Sequence, residues 1–485
     1  MVIWASMMQD TEKKMRLGIL LLQVVMYCYA APKEYTVYPR ILDERNAAGN
    51  LILQLTDKIT LDLEKSNVMT DNLIFVTSTK DVQKVETIDT SHIHDSIYHD
   101  KHYQSSVVVR QEEGNVEVEG IINDNLRIRP LPEAERSAQG QMLHRIFEVD
   151  RKSEKFIKVG HTEDLAKGYN QTDARKDTNS NEGWDALQER ASSRDQFFVE
   201  LHIISDRKHQ YSYKSNEELI TYMAVMTNAA NLRYLDMAHP KIKFVLVGVT
   251  RMKDHEFASN RHGSIDASAM LNGLQRYANQ GKVPGHHDTV YLATALDMRM
   301  KQDNTVVGLA NFASACRKSA VGEGEDMPHT YNGVNTMAHE LAHTLGSPHD
   351  ETPECPWAKG YLMSYVDGGL NKFKLSPCSE KSIRRYVQYL SEDCIRVQSS
   401  KNYNREHRKF PGQSVRAQYL CRKLLRVNQG RKVTAKESAN CKMQCCNRAS
   451  LGGPPCRTYP MLDGMQCAYG KTCKRGICGV HTWTN

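Results

Sequence analysis

The stretch His339-Glu340-Leu-Ala-His343-Thr-Leu-Gly346-Ser-Pro-His349-Asp350 decides how this 485-residue chain is read. On an α-helix His339 and His343 stand one turn apart on the same face, so both imidazoles can reach one ion at ~2.0–2.1 Å. Glu340 lies beside the first of them, where it can hold a water molecule next to the ion and take its proton. Gly346 can adopt the positive φ that ends the helix and turns the chain, bringing His349 round as a third ligand. Three neutral nitrogen ligands leave a fourth position open, which is the arrangement of a catalytic rather than a structural zinc. Lone histidines elsewhere, such as His92, His161 and His209, read as ordinary surface or core residues.

Beyond His349 comes Tyr361-Leu-Met363-Ser-Tyr365, with its methionine fourteen residues on. A methionine by itself is core filling; at this distance behind this motif Met363 resembles the methionine turn of the metzincin class, which implies that it supports the metal site from beneath. Upstream, Phe197-Phe-Val-Glu200-Leu-His-Ile-Ile reads as a strand, residues 216–237 as a helix and 242–249 as a strand. Residues 265–279 read as a helix and 289–295 as a strand, so strands alternate with helices as in an α/β sheet. Gly308-Leu309-Ala310 leads to Cys316, and the motif helix begins near Asn332.

Further out the chain changes character twice. Residues 32–190 alternate short apolar runs with turns, as in Tyr35-Thr-Val-Tyr-Pro39 and Leu51-Ile-Leu-Gln-Leu55, and read as mostly β. They end in a polar segment, 168–183, with the glycosylation sequon Asn170-Gln-Thr172. At the other end, residues 399–415 turn polar and basic, and eight cysteines then fall between Cys421 and Cys478. That tail has too little apolar content to fold by burial alone, so bridges must stabilise it, each by about 2–4 kcal/mol. Their pairing is open on sequence grounds.

Length and 40% hydrophobic content allow several cores, and domains of roughly 100–200 residues point to three units. Lys13, Lys14 and Arg16 precede an apolar run at 17–29 and the small pair Ala30-Ala31, the pattern of a secretory signal peptide; the run is too short to span a membrane. Of thirteen cysteines, Cys28 falls in that signal and leaves twelve, an even number that suits disulfides and secretion. The formal charge of +7 is dispersed, and the basic cluster Arg405-Glu-His-Arg408-Lys409 reads as linker; nucleic-acid binding is not indicated.

His-Glu-x-x-His-x-x-Gly-x-x-His with a methionine turn is the metzincin signature, and Asp350 directly after the third histidine resembles the reprolysin (adamalysin) branch. Tyr38-Pro39-Arg40, Tyr98-His99-Asp100, 114–120 and 126–130 resemble the reprolysin propeptide, and Phe198-Val-Glu200-Leu the start of its catalytic domain. Cys445-Cys446 and the stretch from Asp463 to Cys478 are similar to the disintegrin-like and cysteine-rich modules of ADAMTS-type proteins. The resemblance implies a metzincin α/β fold, a mixed twisted sheet with an active-site helix, a mostly β propeptide before it and a disulfide-rich module after it. The expected divisions are a signal peptide at 1–30, propeptide at 31–194, protease at 195–398, linker at 399–416 and disulfide-rich tail at 417–485. It also implies that Cys316 pairs with Cys394, leaving Cys355 with Cys378.

The expected activity is that of a secreted zinc endopeptidase made as a zymogen. Glu340 is the general base, His339, His343 and His349 hold one zinc, and Asp350 stands behind them. Gly308, Leu309 and Ala310 form the edge strand that takes an extended peptide, and 364–370 line the pocket beyond the cut. Extracellular protein substrates, matrix or haemostatic by resemblance, a monomeric state and no membrane anchor complete the expectation. Three features depart from the family: no cysteine at 29–315 can supply a thiolate for latency, no Arg-x-Lys/Arg-Arg site precedes Phe197, and Val397 stands where the family's calcium site has an asparagine. Glu200 and Asp288 resemble that site's acids, so Ca2+ is a weaker implication than Zn2+. The rival reading is a non-catalytic disulfide-rich binding or antagonist protein on a zincin scaffold, which a lost ligand or base would favour; a membrane-bound sheddase is disfavoured because no apolar span follows Cys478.

Overall fold

The computed structural model describes residues 34–149, 160–161, 195–397 and 416–481, apart from short loops within those spans. The 1–30 segment, the Asn170 sequon and residues 398–415 lie outside the described residues.

Eight strands form the central sheet. In chain order they are β1 (Met69–Ser78), β2 (Gln83–Asp89), β3 (Gly160–His161), β4 (Gln196–Ser205), β5 (Lys241–Met252), β6 (Thr289–Thr294), β7 (Gly308–Ala310) and β8 (Val321–Glu325). Their spatial order is β3-β7-β8-β6-β4-β5-β1-β2. Pairing is parallel except between β7 and β8 and between β1 and β2. The sheet is therefore mixed, and β6, buried at every position, has the unbroken apolar character of a strand covered on both faces.

Among the described residues the longer helices beside it are α1 (Asn216–Asn231), α2 (Ala267–Asn279) and α3 (Val334–Thr344), which pack on the sheet, and α4 (Pro377–Gln388), which shares its core. Three open on side-chain caps, with Ser215, Asp266 and Ser376 accepting from the backbone N–H three residues on. Helix α1 is buried from Leu219 to Ala230 because it lies between the central sheet with α3 and a second, N-terminal sheet. Helix α2 buries one stripe, Met270, Leu271, Leu274 and Tyr277, against Leu292, Leu309 and Val321.

The N-terminal sheet has nine antiparallel strands between Glu34 and Glu148. The boundary drawn from sequence near residue 195 does not divide the central sheet, since β1 and β2 precede it and β1 pairs with β5. The physical reason is that the twelve-residue β5 would otherwise present an open edge of unpaired N–H and C=O groups. The core is continuous across the same boundary: Leu73, Phe75 and Val108 pack in one cluster with Val199, Leu201 and Leu246. Polar ties run alongside, from Ser66 Oγ to Asn228 Oδ1 at 2.6 Å and from Lys372 Nζ to Asp124 at 2.6 Å.

Disulfides join Cys316 to Cys394 and Cys355 to Cys378 around the motif helix. In the tail they join Cys421 to Cys445, Cys441 to Cys473, Cys446 to Cys456 and Cys467 to Cys478. Two three-stranded sheets and a small cluster of Leu420, Leu424, Met443, Tyr459 and Met461 build around them. No helix among the described residues is long and apolar enough to cross a membrane.

Candidate metal centre

Helix α3 runs beneath β7 and β8 and carries His339 and His343 on one face. It ends where Gly346 takes φ +84°; a Cβ there would stand 3.0 Å from the Tyr386 Cβ, so both the turn and the packing favour glycine. The chain then returns with His349 beside the helix. The three Nε2 atoms lie 3.1–3.2 Å from one another. That triangle suits one ion held about 2.0–2.1 Å from each nitrogen, with a fourth side left open.

Each ring is oriented from behind. His339 Nδ1 bonds the Leu362 carbonyl at 2.7 Å, His343 Nδ1 the Ser347 carbonyl at 2.8 Å, and His349 Nδ1 the Tyr365 hydroxyl at 2.8 Å. With the Nε2 lone pairs turned toward a shared ion, the Nδ1 atoms carry the protons and donate. Met363 is fully buried, and its carbonyl accepts from the Asp350 N–H at 2.9 Å. Asp350 Oδ1 accepts from Ser376 Oγ at 2.5 Å and Ser379 Oγ at 3.1 Å, which fastens the loop after His349 to the start of α4. Burial pushes its carboxyl up, against the pull of those two hydroxyls.

Glu340 is fully buried, and neither carboxylate oxygen has a hydrogen-bond partner among the described residues. Burial holds its pKa well above the usual carboxylate range. An acceptor left without protein partners one residue from a ligand histidine is what a carboxylate awaiting a water at the ion requires. Gly308 of β7 passes directly over it.

The other expected residues are placed as follows. Leu309 and Ala310 pair with β8 on one side and, in parallel, with Gly160 and His161 on the other. Glu200 and Asp288 do come together, but with His286 between them: His286 Nδ1 bonds Glu200 Oε2 at 2.8 Å, and Asp288 Oδ2 accepts from the Glu200 N–H at 2.8 Å. Val397 packs against Val245 and Val247. An imidazole and an apolar side chain do not supply the all-oxygen shell of calcium, so the implied Ca2+ is not carried over to these residues.

Sequence reasoning passed over Asp326, a buried hub. It accepts from His209 Nε2 at 2.9 Å, Tyr222 Oη at 2.5 Å and the Gly333 N–H at 2.8 Å, which ties β8 and α1 to the start of α3. It also passed over Glu351, whose Oε1 accepts from Tyr365 Oη at 2.6 Å.

A mixed sheet over a helix with His339 and His343, a third histidine after a glycine turn and a buried methionine fourteen residues further on define a zincin of the metzincin type. The chain belongs to the reprolysin family: residues 197–398 match the model of the reprolysin (M12B) family zinc metalloproteases. It is 27% identical over 348 residues to the venom metalloproteinase antarease-like TtrivMP_A of Tityus trivittatus, covering 65% of this chain and 83% of that one. It is 30% identical over 230 residues to antarease-like TserMP_B of Tityus serrulatus, covering 41% of this chain and 95% of that one. A disintegrin and metalloproteinase with thrombospondin motifs-like protein of Bombyx mori is 25% identical over 300 residues, 54% of this chain and 41% of that one.

Proposed function

We propose that the chain is a secreted zinc endopeptidase, made as a zymogen, that cuts extracellular proteins. The observation that carries this is the triangle of three Nε2 atoms with the Glu340 carboxylate, unpartnered among the described residues, beside it. His339, His343 and His349 would hold zinc, which supplies Lewis acidity to the scissile carbonyl and acidifies water. Glu340 accepts the proton of the attacking water as the new C–O bond forms, and passes it to the leaving amine as the C–N bond breaks. An extended substrate would lie along Gly308, Leu309 and Ala310, held by main-chain hydrogen bonds.

The division into signal (1–30), propeptide (31–194), protease (195–398), linker (399–416) and tail (417–485) is part of this reading. Latency without a thiolate is supported by β3, which adds to the same edge that a substrate would use. Six disulfides support an extracellular setting. Venom-type relatives make matrix or blood-clotting proteins the first substrates to try.

The test is zinc-loaded protein, intact and cut between residues 161 and 195, on a panel including fibrinogen and gelatin. The cut form should cleave and the intact form should not. Glu340→Ala should abolish cleavage while zinc stays bound, and chelation should abolish it until zinc is restored. Folded, zinc-loaded, cut protein that cleaves nothing would sink the reading.

A further inference from the structure

The partners behind the three histidines are not alike. His339 and His343 donate to backbone carbonyls, Leu362 O and Ser347 O. His349 donates instead to a phenol. Tyr365 Oη stands 2.8 Å from His349 Nδ1 and 2.6 Å from Glu351 Oε1. The hydroxyl has one proton: it accepts from the imidazole N–H and gives its own hydrogen to the carboxylate.

The chain holds this line in place at both ends. Glu351 follows Asp350, whose N–H is bonded to the Met363 carbonyl, and Tyr365 lies two residues beyond Met363. The two loops are thus stitched together next to the relay. The Tyr365 ring also packs on the His349 ring, with centroids 4.7 Å apart and planes at 49°. The tilt and the proton of His349 are therefore both set from the Tyr365 side.

We propose that Tyr365 and Glu351 form a carboxylate–phenol relay that positions His349 and sets how tightly the third ligand grips the metal. The inference rests on the metalloprotease reading given above. Negative charge at Glu351 draws the phenol proton, the phenol oxygen becomes a better acceptor, and the imidazole becomes a stronger donor to the ion through Nε2. The relay makes His349 the adjustable ligand of the three, while His339 and His343 are fixed by the backbone. Tyr365 and Glu351 are positioning residues, since they act through His349.

The test is zinc affinity, measured by competition with a chromophoric chelator on the full chain, for Tyr365→Phe, Glu351→Gln and the double variant. Tyr365→Phe should weaken zinc binding by about 10- to 100-fold, the range for a lost partner behind a metal ligand. Glu351→Gln should weaken it less, and should add nothing once Phe is present, because in the relay Glu351 acts on His349 through the phenol. The visible spectrum of the cobalt form should shift in both single variants. Unchanged affinity in Tyr365→Phe, or additive effects in the double variant, would overturn the relay. If Phe also lowers the unfolding midpoint of metal-free protein, the exposed Glu351→Gln change carries the test alone. Failure of the wild type to bind zinc, or full zinc affinity in His349→Ala, would instead sink the metalloprotease reading itself.

Discussion

A Cβ placed on Gly308 would stand 2.5 Å from Glu340 Oε1 and 2.6 Å from Thr336 Cγ2. The edge strand and the proposed general base thus share a space that only glycine leaves free. Neighbouring β8 keeps glycine for the same reason, because a Cβ on Gly324 would reach the Tyr291 ring and Thr336 Cγ2. The Gly308 backbone and the Glu340 carboxylate thus come close together with no side chain between them.

Gly308→Ala should therefore displace either the Glu340 carboxylate or the edge strand by close to an ångström. Misplacement on that scale costs on the order of a hundredfold in rate. The expected result is about a hundredfold loss of kcat in the cut enzyme, with one zinc per chain retained and little change in unfolding temperature. Wild-type kcat in Gly308→Ala would show that the packing of β7 on Glu340 does not govern the chemistry.

Asp326 gives a stability prediction. Replacing it with Ala leaves the His209 and Tyr222 donors and the Gly333 N–H at the cap of α3 buried without that acceptor. Losing one partner of a buried charged network costs about 3–5 kcal/mol. Denaturant unfolding of zinc-free Asp326→Ala should show a loss of that order, and Asp326→Asn a smaller one because one carbonyl oxygen remains. A change under about 1 kcal/mol would mean that water replaces Asp326 and that the hub does not anchor the helix.

The difference between Asp326 and the histidines explains what could be read from the chain alone. His339, His343, Gly346 and His349 are linked by helix period and one turn, so their convergence is legible within eleven residues. Met363 was reached through a family spacing. The partners of Asp326 lie 117, 104 and 7 residues away, and the aspartate carries no local signal. Tyr365 stood inside a segment read as pocket lining, and its bond to Glu351 depends on two loops crossing. The β1–β2 hairpin reads as strands in either sheet, since alternation of side chains specifies a strand and not its neighbour. The acids behind the calcium expectation, Glu200 and Asp288, do meet, but His286, which reaches Glu200 through the fold, had not been weighed.

His144 gives the last prediction, on pH. It lies fully buried in the N-terminal sheet, where Nε2 accepts from the Val118 N–H at 2.9 Å and Nδ1 donates to the Met142 carbonyl at 3.1 Å. Burial pushes its pKa down from 6.5 to about 4, so the folded sheet refuses a proton that the unfolded chain accepts. The unfolded state then binds more protons between these values, and the stability that His144 contributes is complete above about pH 6.5 and drains away as pH falls toward 4. By pH 5 the loss from this one group is about 2 kcal/mol. His202 in β4, pushed by burial to about 3, acts in the same direction, while Asp288, raised to about 7 by its own burial, opposes it. The contribution is therefore isolated by comparison with His144→Gln, which cannot titrate. Between pH 7.5 and pH 5, hydrogen exchange in the strands Ser105–Glu112 and Asn115–Ile121 should lose about 2 kcal/mol more protection in the wild type than in the variant. Since this sheet packs on α1 and shares a core with the central sheet, acid would loosen the N-terminal region's hold on the protease. Equal pH slopes in the two proteins would show that His144 is protonated without cost in the folded state.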